Sequence, residues 1–265
     1  MMDSFKEEKR ALDEISRKVS LKRWFQSFEL VPGIVTPGLY PYDAKAVLDS
    51  VGLKDLSGKQ VLEIGTFDGA LAFELEARGA SVIALDIQDP DRTGFNLARE
   101  ILNSKVTYVQ CSVYELTSVL KDKFDSVFFY GVFYHLKHPI LALEEIRKII
   151  KKDGRLYFGG ECLRIYAENL NGTPCKDLEI KSLAETDVPV ALCYPGTYKR
   201  GEVWFVPNFA CLKSWMRAAG LEIVEQSFLE DPKAKDLKGN LSPAQRMSGV
   251  AVVSEHGIAE EHCLW

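Results

Sequence analysis

Short apolar runs alternate with amphipathic segments along most of this chain. Seven runs predict buried strands, over residues 61–64, 81–85, 106–110, 124–130, 155–160, 221–228 and 247–254. Segments with helical character lie among them, over residues 44–51, 70–78, 93–102, 139–151 and 208–219. This alternation of strand and helix is typical of a doubly wound sheet. The sequence therefore predicts an α/β, Rossmann-like fold with a seven-stranded, mostly parallel sheet and helices on both faces.

Two regions depart from the alternation. Residues 3–28 are rich in helix formers and lead into an extended stretch of prolines and glycines. Their apolar stripe comprises Phe5, Leu12, Ile15, Val19, Leu21 and Phe25. Prolines and glycines also interrupt residues 161–206, which predicts an inserted lid. We interpret residues 1–55 as an N-terminal helical cover and residues 56–265 as the main domain.

The composition narrows the choice of function. A chain of 265 residues with 46% apolar and 27% charged residues suits one globular α/β domain with additions. Its net charge of −5 argues against a surface devoted to nucleic acid, although a local basic patch stays compatible with it. The charged N-terminus lacks the apolar core of a signal peptide, and no segment reaches the roughly 20 apolar residues of a membrane span.

The six cysteines add little chemistry. They show no C-x-x-C pair and no zinc-like spacing, at positions 111, 162, 175, 193, 211 and 263. Reduced thiols are the simplest interpretation, so we expect a cytoplasmic protein without a metal site or a membrane partner. A homo-oligomer is compatible with the sequence.

The strand at residues 61–64 runs into a turn that contains two glycines. The turn comprises Gly65, Thr66, Phe67, Asp68 and Gly69, and a helix follows it. The next strand ends at Asp86, which lies 86 − 65 = 21 positions after Gly65. Glycines let the backbone approach a ligand, and an acid about 20 residues further on can bind both ribose hydroxyls. This unit predicts a nucleotide-binding site.

Two side chains argue against a dinucleotide. Phe67 stands where a pyrophosphate-binding turn needs its middle glycine, and Glu63 places a carboxylate close to any phosphate. Both suit a cofactor with an adenosyl group and a cationic tail that lacks phosphate, which describes S-adenosylmethionine. An ordinary strand–helix–strand crossover, a nicotinamide enzyme and a regulatory module that binds the cofactor without turnover are the alternatives.

Other candidate residues follow the ends of two further strands. Ligands in open α/β sheets lie beyond the carboxyl ends of the strands, so residues 130–135 should border the cofactor. Tyr134 and His135 are candidates to contact a substrate or accept its proton, although His135 could equally be a packed histidine. Ser112 and Val113 are candidates to contact the adenine.

The predicted lid carries an aromatic cluster, comprising Tyr194, Tyr198, Trp204, Phe205 and Phe209. These side chains could form a substrate pocket, but the private core of the lid is the preferred interpretation. Lys199 and Arg200 lie beside them and are expected to be solvated, with binding of an anionic substrate as the alternative. We keep Tyr198 and Arg200 as candidate substrate contacts.

The sequence resembles the class I S-adenosylmethionine-dependent methyltransferases, and among them the tRNA wobble-uridine carboxymethyltransferase group. The resemblance runs from about residue 25 to residue 253 and is most specific at residues 131–135, 203–208 and 245–247. It implies ligand-binding roles for Tyr40, Lys45, Gly65, Asp86, Ile87, Val113, Tyr130, Tyr134 and Arg246. It also implies that Tyr134 and Arg246 contact the carboxylate of a carboxylated cofactor.

One departure from that group affects the predicted reaction. Gln26 occupies the place of a lysine that binds the cofactor carboxylate in the group, and an amide cannot form that ion pair. The sequence therefore favours transfer of a plain methyl group to an oxygen or nitrogen of a small-molecule metabolite. A tRNA wobble uridine is the alternative substrate.

Overall fold

The computed structural model describes residues 2–175, 178–235 and 239–255, and it divides into two compact units, Met1–Ser112 and Val113–Trp265. Seven strands of the two units belong to one mostly parallel sheet. The prediction of an α/β, Rossmann-like fold is thus confirmed. No helix in the described ranges is long and apolar enough to cross a membrane. The division into a cover (1–55) and a main domain stays a prediction.

The first unit contains three strands of the sheet, in the order β5–β6–β7 and all parallel. Its helices are α1 (Met2–Leu21), α2 (Ala44–Ser50), α3 (Ala70–Ala77) and α4 (Phe95–Ile101). Its strands are β1 (Gln26–Ser27), β2 (Glu29–Val31), β3 (Ile34–Val35), β4 (Tyr40–Pro41), β5 (Gln60–Ile64), β6 (Ser81–Asp86) and β7 (Thr107–Gln110). The four short strands pair as β1 with β4 and β2 with β3, outside the main sheet.

Helix α1 ends at Leu21, seven residues before the end of the segment 3–28 that is rich in helix formers. The backbone N–H groups of Phe25 and Gln26 donate to the carboxylate of Asp68 instead of continuing a helix. The predicted apolar stripe is buried at Val19, whereas Leu12 and Leu21 are exposed. The side chain of Phe5 lies outside the described part of the chain.

The second unit contains the other four strands of the sheet, in the order β12–β13–β9–β8. Its helices are α5 (Leu116–Val119), α6 (Pro139–Ile149), α7 (Ile180–Glu185) and α8 (Phe209–Ala218). Its strands are β8 (Phe124–Tyr130), β9 (Ile150–Glu161), β10 (Ala191–Cys193), β11 (Phe205–Pro207), β12 (Leu221–Asp231) and β13 (Ala244–Val253). Strands β8 and β9 are parallel, whereas β13 is antiparallel to β9 and to β12.

The predicted lid at residues 161–206 has a core of its own. It contains α7, and β10 pairs with β11 in a two-stranded antiparallel sheet. Tyr194 and Tyr198 are buried, and their rings lie 4.7 Å apart. The preferred interpretation of the aromatic cluster as core is thus confirmed for these two residues.

Candidate functional site

The turn after β5 has the backbone conformation that the glycines predict. Gly65 and Gly69 have positive φ angles of 83° and 91°, and Phe67 between them also has a positive φ, of 51°. A Cβ atom on Gly69 would lie 2.5 Å from the ring of Phe73, so only glycine fits there. The Phe67 N–H donates to Oδ2 of Asp86 at 2.9 Å, which fixes the turn against the end of β6.

Asp86 ends β6, and its carboxylate accepts backbone N–H groups from the residues around it. Its Oδ1 accepts the N–H of Gln88 at 3.0 Å, and its Oδ2 accepts that of Phe67. A carboxylate has about four acceptor sites, so it can still accept a hydrogen bond from a ribose hydroxyl. Burial raises the pKa of Asp86, and the N–H bonds act against that shift. Ile87 next to it is 66% exposed and offers apolar surface to a base. These residues fit the adenosine part of S-adenosylmethionine.

The side chains of Glu63 and Thr66 are buried inside the turn and bond to each other. The Thr66 hydroxyl donates to Oε2 of Glu63 at 2.7 Å, and both side chains are buried. Burial raises the pKa of Glu63 to about 7, with a smaller contribution from the negative charge of Asp86. The predicted cofactor role is therefore limited to the backbone of Thr66, because its side chain is bonded to Glu63.

The buried Glu63 predicts an unusual dependence of stability on pH. The folded chain holds the Glu63 proton between its ordinary pKa of 4.5 and about 7, where the unfolded chain has released it. The free energy of unfolding should therefore fall across this range, by up to about 3 kcal/mol for this group. Urea unfolding at pH 5 and pH 7.5 should show this loss in the wild type and not in Glu63→Gln. The exposed Glu115→Gln is the control, and identical pH dependence in wild type and Glu63→Gln would contradict the assignment.

Asp68 is a structural anchor rather than a cofactor ligand, which corrects the prediction for its side chain. It is fully buried, and its carboxylate accepts three backbone N–H groups, from Phe25 (2.7 Å), Gln26 (2.8 Å) and Gly94 (2.7 Å). These bonds tie the segment after α1 and the start of α4 to the glycine turn. The carboxylate is therefore committed to the protein.

Gln26 also belongs to this anchor. Its side chain is buried, and its Oε1 accepts the N–H of Ala70, the first residue of α3, at 3.2 Å. The amide thus caps a helix, because the first N–H groups of a helix have no partner inside it. A lysine at position 26 could not accept this bond, which gives a physical reason for glutamine there.

Three aromatic rings cover the glycine turn within the first unit. The Phe25 ring lies 4.6 Å from that of Phe67 and 4.5 Å from that of Tyr40, measured between centroids. Tyr40 is partly exposed at the end of this row. Lys45 is exposed in the first turn of α2, and its backbone carbonyl accepts a bond from Arg78.

Residues around Ser112 and Val113 follow β7. The Cys111 N–H donates to the carbonyl of Asp86 at 3.0 Å, so within the first unit this segment starts beside the end of β6. Ser112 is partly exposed. Val113 is buried at the start of a 3₁₀ turn in the second unit.

In the second unit, β8 ends at Tyr130 and leads into a short 3₁₀ helix, Phe133–His135. Gly131 has a φ of 74° and lies close to the hydroxyl of Tyr134, because a Cβ built on Gly131 would be 3.7 Å from it. The Tyr134 ring packs on Gly160, where a Cβ would lie 2.7 Å from it. Burial raises the pKa of Tyr130 to about 12, so its hydroxyl stays protonated.

His135 has one committed nitrogen and one free to act. Its Nδ1 is hydrogen-bonded to the backbone carbonyl of Glu202, which requires the proton on Nδ1 and leaves the Nε2 lone pair available. Burial lowers the pKa of His135, and Arg246 contributes to the lowering. The Glu202 carbonyl and the charges of Glu202 and Glu161 act in the opposite direction. The ring is therefore neutral at physiological pH, as a general base must be.

The predicted substrate contacts of the lid do not behave alike. Tyr198 is buried, and its hydroxyl donates to Glu161 at 3.3 Å, so it supports the lid instead of contacting a substrate. Lys199 is not solvated, because its Nζ forms an ion pair with Glu161 at 2.8 Å. The side chain of Arg200 lies outside the described part of the chain.

Arg246 is the remaining candidate contact. It lies in β13 directly opposite Glu161 of β9. Its side chain is exposed and makes no ion pair with a residue in the described ranges. Glu161, which sequence reasoning missed, lies opposite Arg246, pairs with Lys199 and counters the lowering of the His135 pKa through its charge. Its place at the end of a central strand was the only available signal.

Comparison with known proteins gives the same general picture. Residues 62–158 match a family described as a methyltransferase domain. Two curated relatives are named tRNA U34 carboxymethyltransferase. The one from Campylobacter jejuni is 27% identical over 65% of this chain and 53% of its own length. The one from Wolinella succinogenes is 28% identical over 65% of this chain and 55% of its own length. The chain thus spans about half the length of the curated relatives it matches.

Solved structures share the fold at low sequence identity. The N-terminal domain of EvdMO1 with S-adenosylhomocysteine bound matches with a TM-score of 0.57, at 19% identity over 91% of this chain and 96% of that one. The 1,6-didemethyltoxoflavin-N1-methyltransferase of Burkholderia thailandensis matches with a TM-score of 0.52, at 17% identity over 80% of this chain and 77% of that one.

Proposed function

We propose that this protein, which belongs to the class I S-adenosylmethionine-dependent methyltransferases, modifies the wobble uridine of tRNA by transferring a methyl or carboxymethyl group. S-adenosylmethionine is the cofactor of its class. The choice of tRNA rests on the similarity to relatives named tRNA U34 carboxymethyltransferase over 65% of the chain. It replaces the small-molecule acceptor as the first choice.

The exposed Arg246 supports this substrate and leaves the transferred group open. An unpaired guanidinium can bind the carboxylate of a carboxylated cofactor or a phosphate of the acceptor. Gln26 cannot form an ion pair with that carboxylate, because its amide carries no charge. A small-molecule acceptor stays the second candidate, since the net charge of −5 provides no general attraction for nucleic acid.

Each unit contributes distinct roles to the proposed reaction. In the first unit, Asp86 holds the ribose hydroxyls, and the turn from Gly65 to Gly69 offers its backbone to the cofactor. When bound there, the cofactor would supply an activated sulfonium carbon to the acceptor. In the second unit, Nε2 of His135 accepts the proton of the attacking group, while the hydroxyl of Tyr134 orients it. Since the sulfonium is already activated, positioning should supply most of the rate.

The proton acceptor predicts the pH dependence of turnover. Neutral His135 is present above its pKa, which lies below the ordinary value of 6.5. The rate should therefore rise with pH and reach half of its plateau value below pH 6.5. His135→Gln should lower kcat by about 10²–10⁴-fold, the usual contribution of a general base. It should also remove the rising limb of the pH–rate profile. The exposed His138→Gln is the matched control, and a wild-type limb retained in His135→Gln would exclude His135 as the base.

Labelling of tRNA with radioactive cofactor tests the choice of acceptor. We expect label on tRNA that lacks its wobble modification. Label on small molecules alone would support the second candidate.

A further inference from the structure

The first unit contains a cavity that the proposed chemistry does not use. It has a volume of about 320 Å³ and is lined by the segment after α1, by Phe67 of the glycine turn and by the loop that follows Asp86. Its main lining residues are Arg23, Trp24, Phe25, Phe67, Gln88 and Arg92. Sites for small ligands start at about this size.

Two cations line this cavity without a protein partner. Arg23 and Arg92 are exposed, and neither side chain makes an ion pair or a hydrogen bond within the described ranges. The acids of the same loop are bonded elsewhere: Asp89 accepts the N–H of Asp91, and Asp91 accepts the amide of Asn96. A pair of free guanidinium groups suits a phosphate, because each offers a planar set of donors.

The wall of the cavity is aromatic and rigid. The Phe25 and Phe67 rings lie 4.6 Å apart, and Phe25 is 39% exposed. The Phe25 backbone is fixed by its bond to Asp68, and Trp24 by the bond from its Nε1 to the carbonyl of Val19 at 2.9 Å. Exposed, fixed rings are the surfaces on which proteins stack unpaired bases of RNA.

The cavity also lies beside the ribose-binding acid. Phe67 and Gln88 both line it, and the backbone N–H groups of these two residues bond to Asp86. A ligand in the cavity would therefore be close to the cofactor. The adenosine part of the cofactor carries no anionic group, whereas each nucleotide of RNA carries a phosphate that two guanidinium groups can bind.

We propose that this cavity binds one nucleotide of the RNA substrate, with its base against Phe25 and Phe67 and its phosphate held by Arg23 and Arg92. The inference rests on the proposed function and adds the contact that positions the RNA. The nucleotide is one other than the uridine that reacts.

The affinity test compares two double variants. Arg23→Gln/Arg92→Gln should weaken binding of an anticodon stem-loop RNA at least tenfold. It should also reduce the slope of log affinity against log salt by about two, one for each phosphate contact. Lys213→Gln/Arg217→Gln removes two exposed cations from α8 and is the matched control, for which we expect little change. Affinity for S-adenosylmethionine should be the same in both double variants and the wild type.

A spectroscopic signal reports occupancy of the cavity directly. In protein labelled with 5-fluorotryptophan, the fluorine resonance of Trp24 can be assigned with Trp24→Phe. The stem-loop RNA should shift this resonance in the wild type and the α8 variant. It should shift it much less in the arginine variant at the same RNA concentration.

The outcomes separate the two proposals. Full RNA affinity in the arginine variant, or an unmoved Trp24 resonance on RNA binding, would overturn the cavity and leave the proposed function intact. If the arginine variant loses affinity for S-adenosylmethionine as much as for RNA, the arginines bind the cofactor, and the cavity proposal is also overturned. If the wild type binds no stem-loop RNA, the proposed function fails. In that case, millimolar uridine 5′-monophosphate is added to the labelled wild type and arginine variant. A shift of the Trp24 resonance in the wild type alone supports a nucleotide site in the cavity, and no shift excludes it.

Discussion

Replacement of Asp68 by alanine is expected to lower the free energy of unfolding by about 3–5 kcal/mol. The substitution leaves three N–H donors without their acceptor in a site that excludes water, and each unsatisfied donor costs about 1–3 kcal/mol. Burial of the Asp68 carboxylate is complete, so solvent cannot replace the lost bonds without rearrangement. Urea unfolding of wild type and variant measures the loss.

A second aspartate provides the comparison for this experiment. Asp55 is exposed, and its Oδ1 accepts a single backbone N–H, that of Ser57, at 2.8 Å. Asp55→Ala should cost far less than Asp68→Ala, because water takes the place of an exposed acceptor. A loss below 1 kcal/mol in Asp68→Ala would show that the three bonds do not anchor the segment after α1.

Asp86→Ala is expected to weaken S-adenosylmethionine binding by about 1–3 kcal/mol, or roughly 5- to 150-fold in Kd. The carboxylate offers charged acceptors to the ribose hydroxyls, and alanine offers none. Calorimetry of wild type and variant gives the two affinities, and circular dichroism shows whether the variant is folded.

Asp89→Ala is the control for position and charge, because Asp89 lies on the same loop and its carboxylate bonds to the Asp91 N–H. We expect its cofactor affinity to stay within about threefold of the wild type, a difference of less than about 1 kcal/mol. An unchanged Kd in folded Asp86→Ala would remove the glycine turn and Asp86 from the cofactor site.

The parts of the fold that sequence predicted well are those encoded by neighbouring residues. Strand β8 and the start of α3 follow from local hydrophobic pattern and glycines, and Asn208 caps α8 at the start of the helical segment predicted over residues 208–219. The acid at the end of β6 follows from spacing alone. These signals lie within about 20 residues of each other, where short-range rules apply.

Contacts between distant residues escaped prediction. Asp68 bonds to residues 42 and 43 positions earlier, and Lys199 pairs with Glu161 across 38 positions. Nothing in the local pattern distinguishes a buried Asp68 from a ligand-binding one, or a paired Lys199 from a solvated one. The overall charge was likewise a weak guide to substrate, because it does not report where single arginines such as Arg23 and Arg92 lie.

The identity of the modified nucleoside is the most direct test of whether this protein modifies the wobble uridine of tRNA. The purified protein is incubated with S-adenosylmethionine, or with its carboxylated analogue, and tRNA that lacks its wobble modification, and the digested tRNA is examined by mass spectrometry. We expect the nucleoside at the wobble position to gain one methyl or one carboxymethyl group, and we expect Asp86→Ala to slow this modification. An unmodified wobble nucleoside with both cofactors, while small acceptors become labelled, would contradict it.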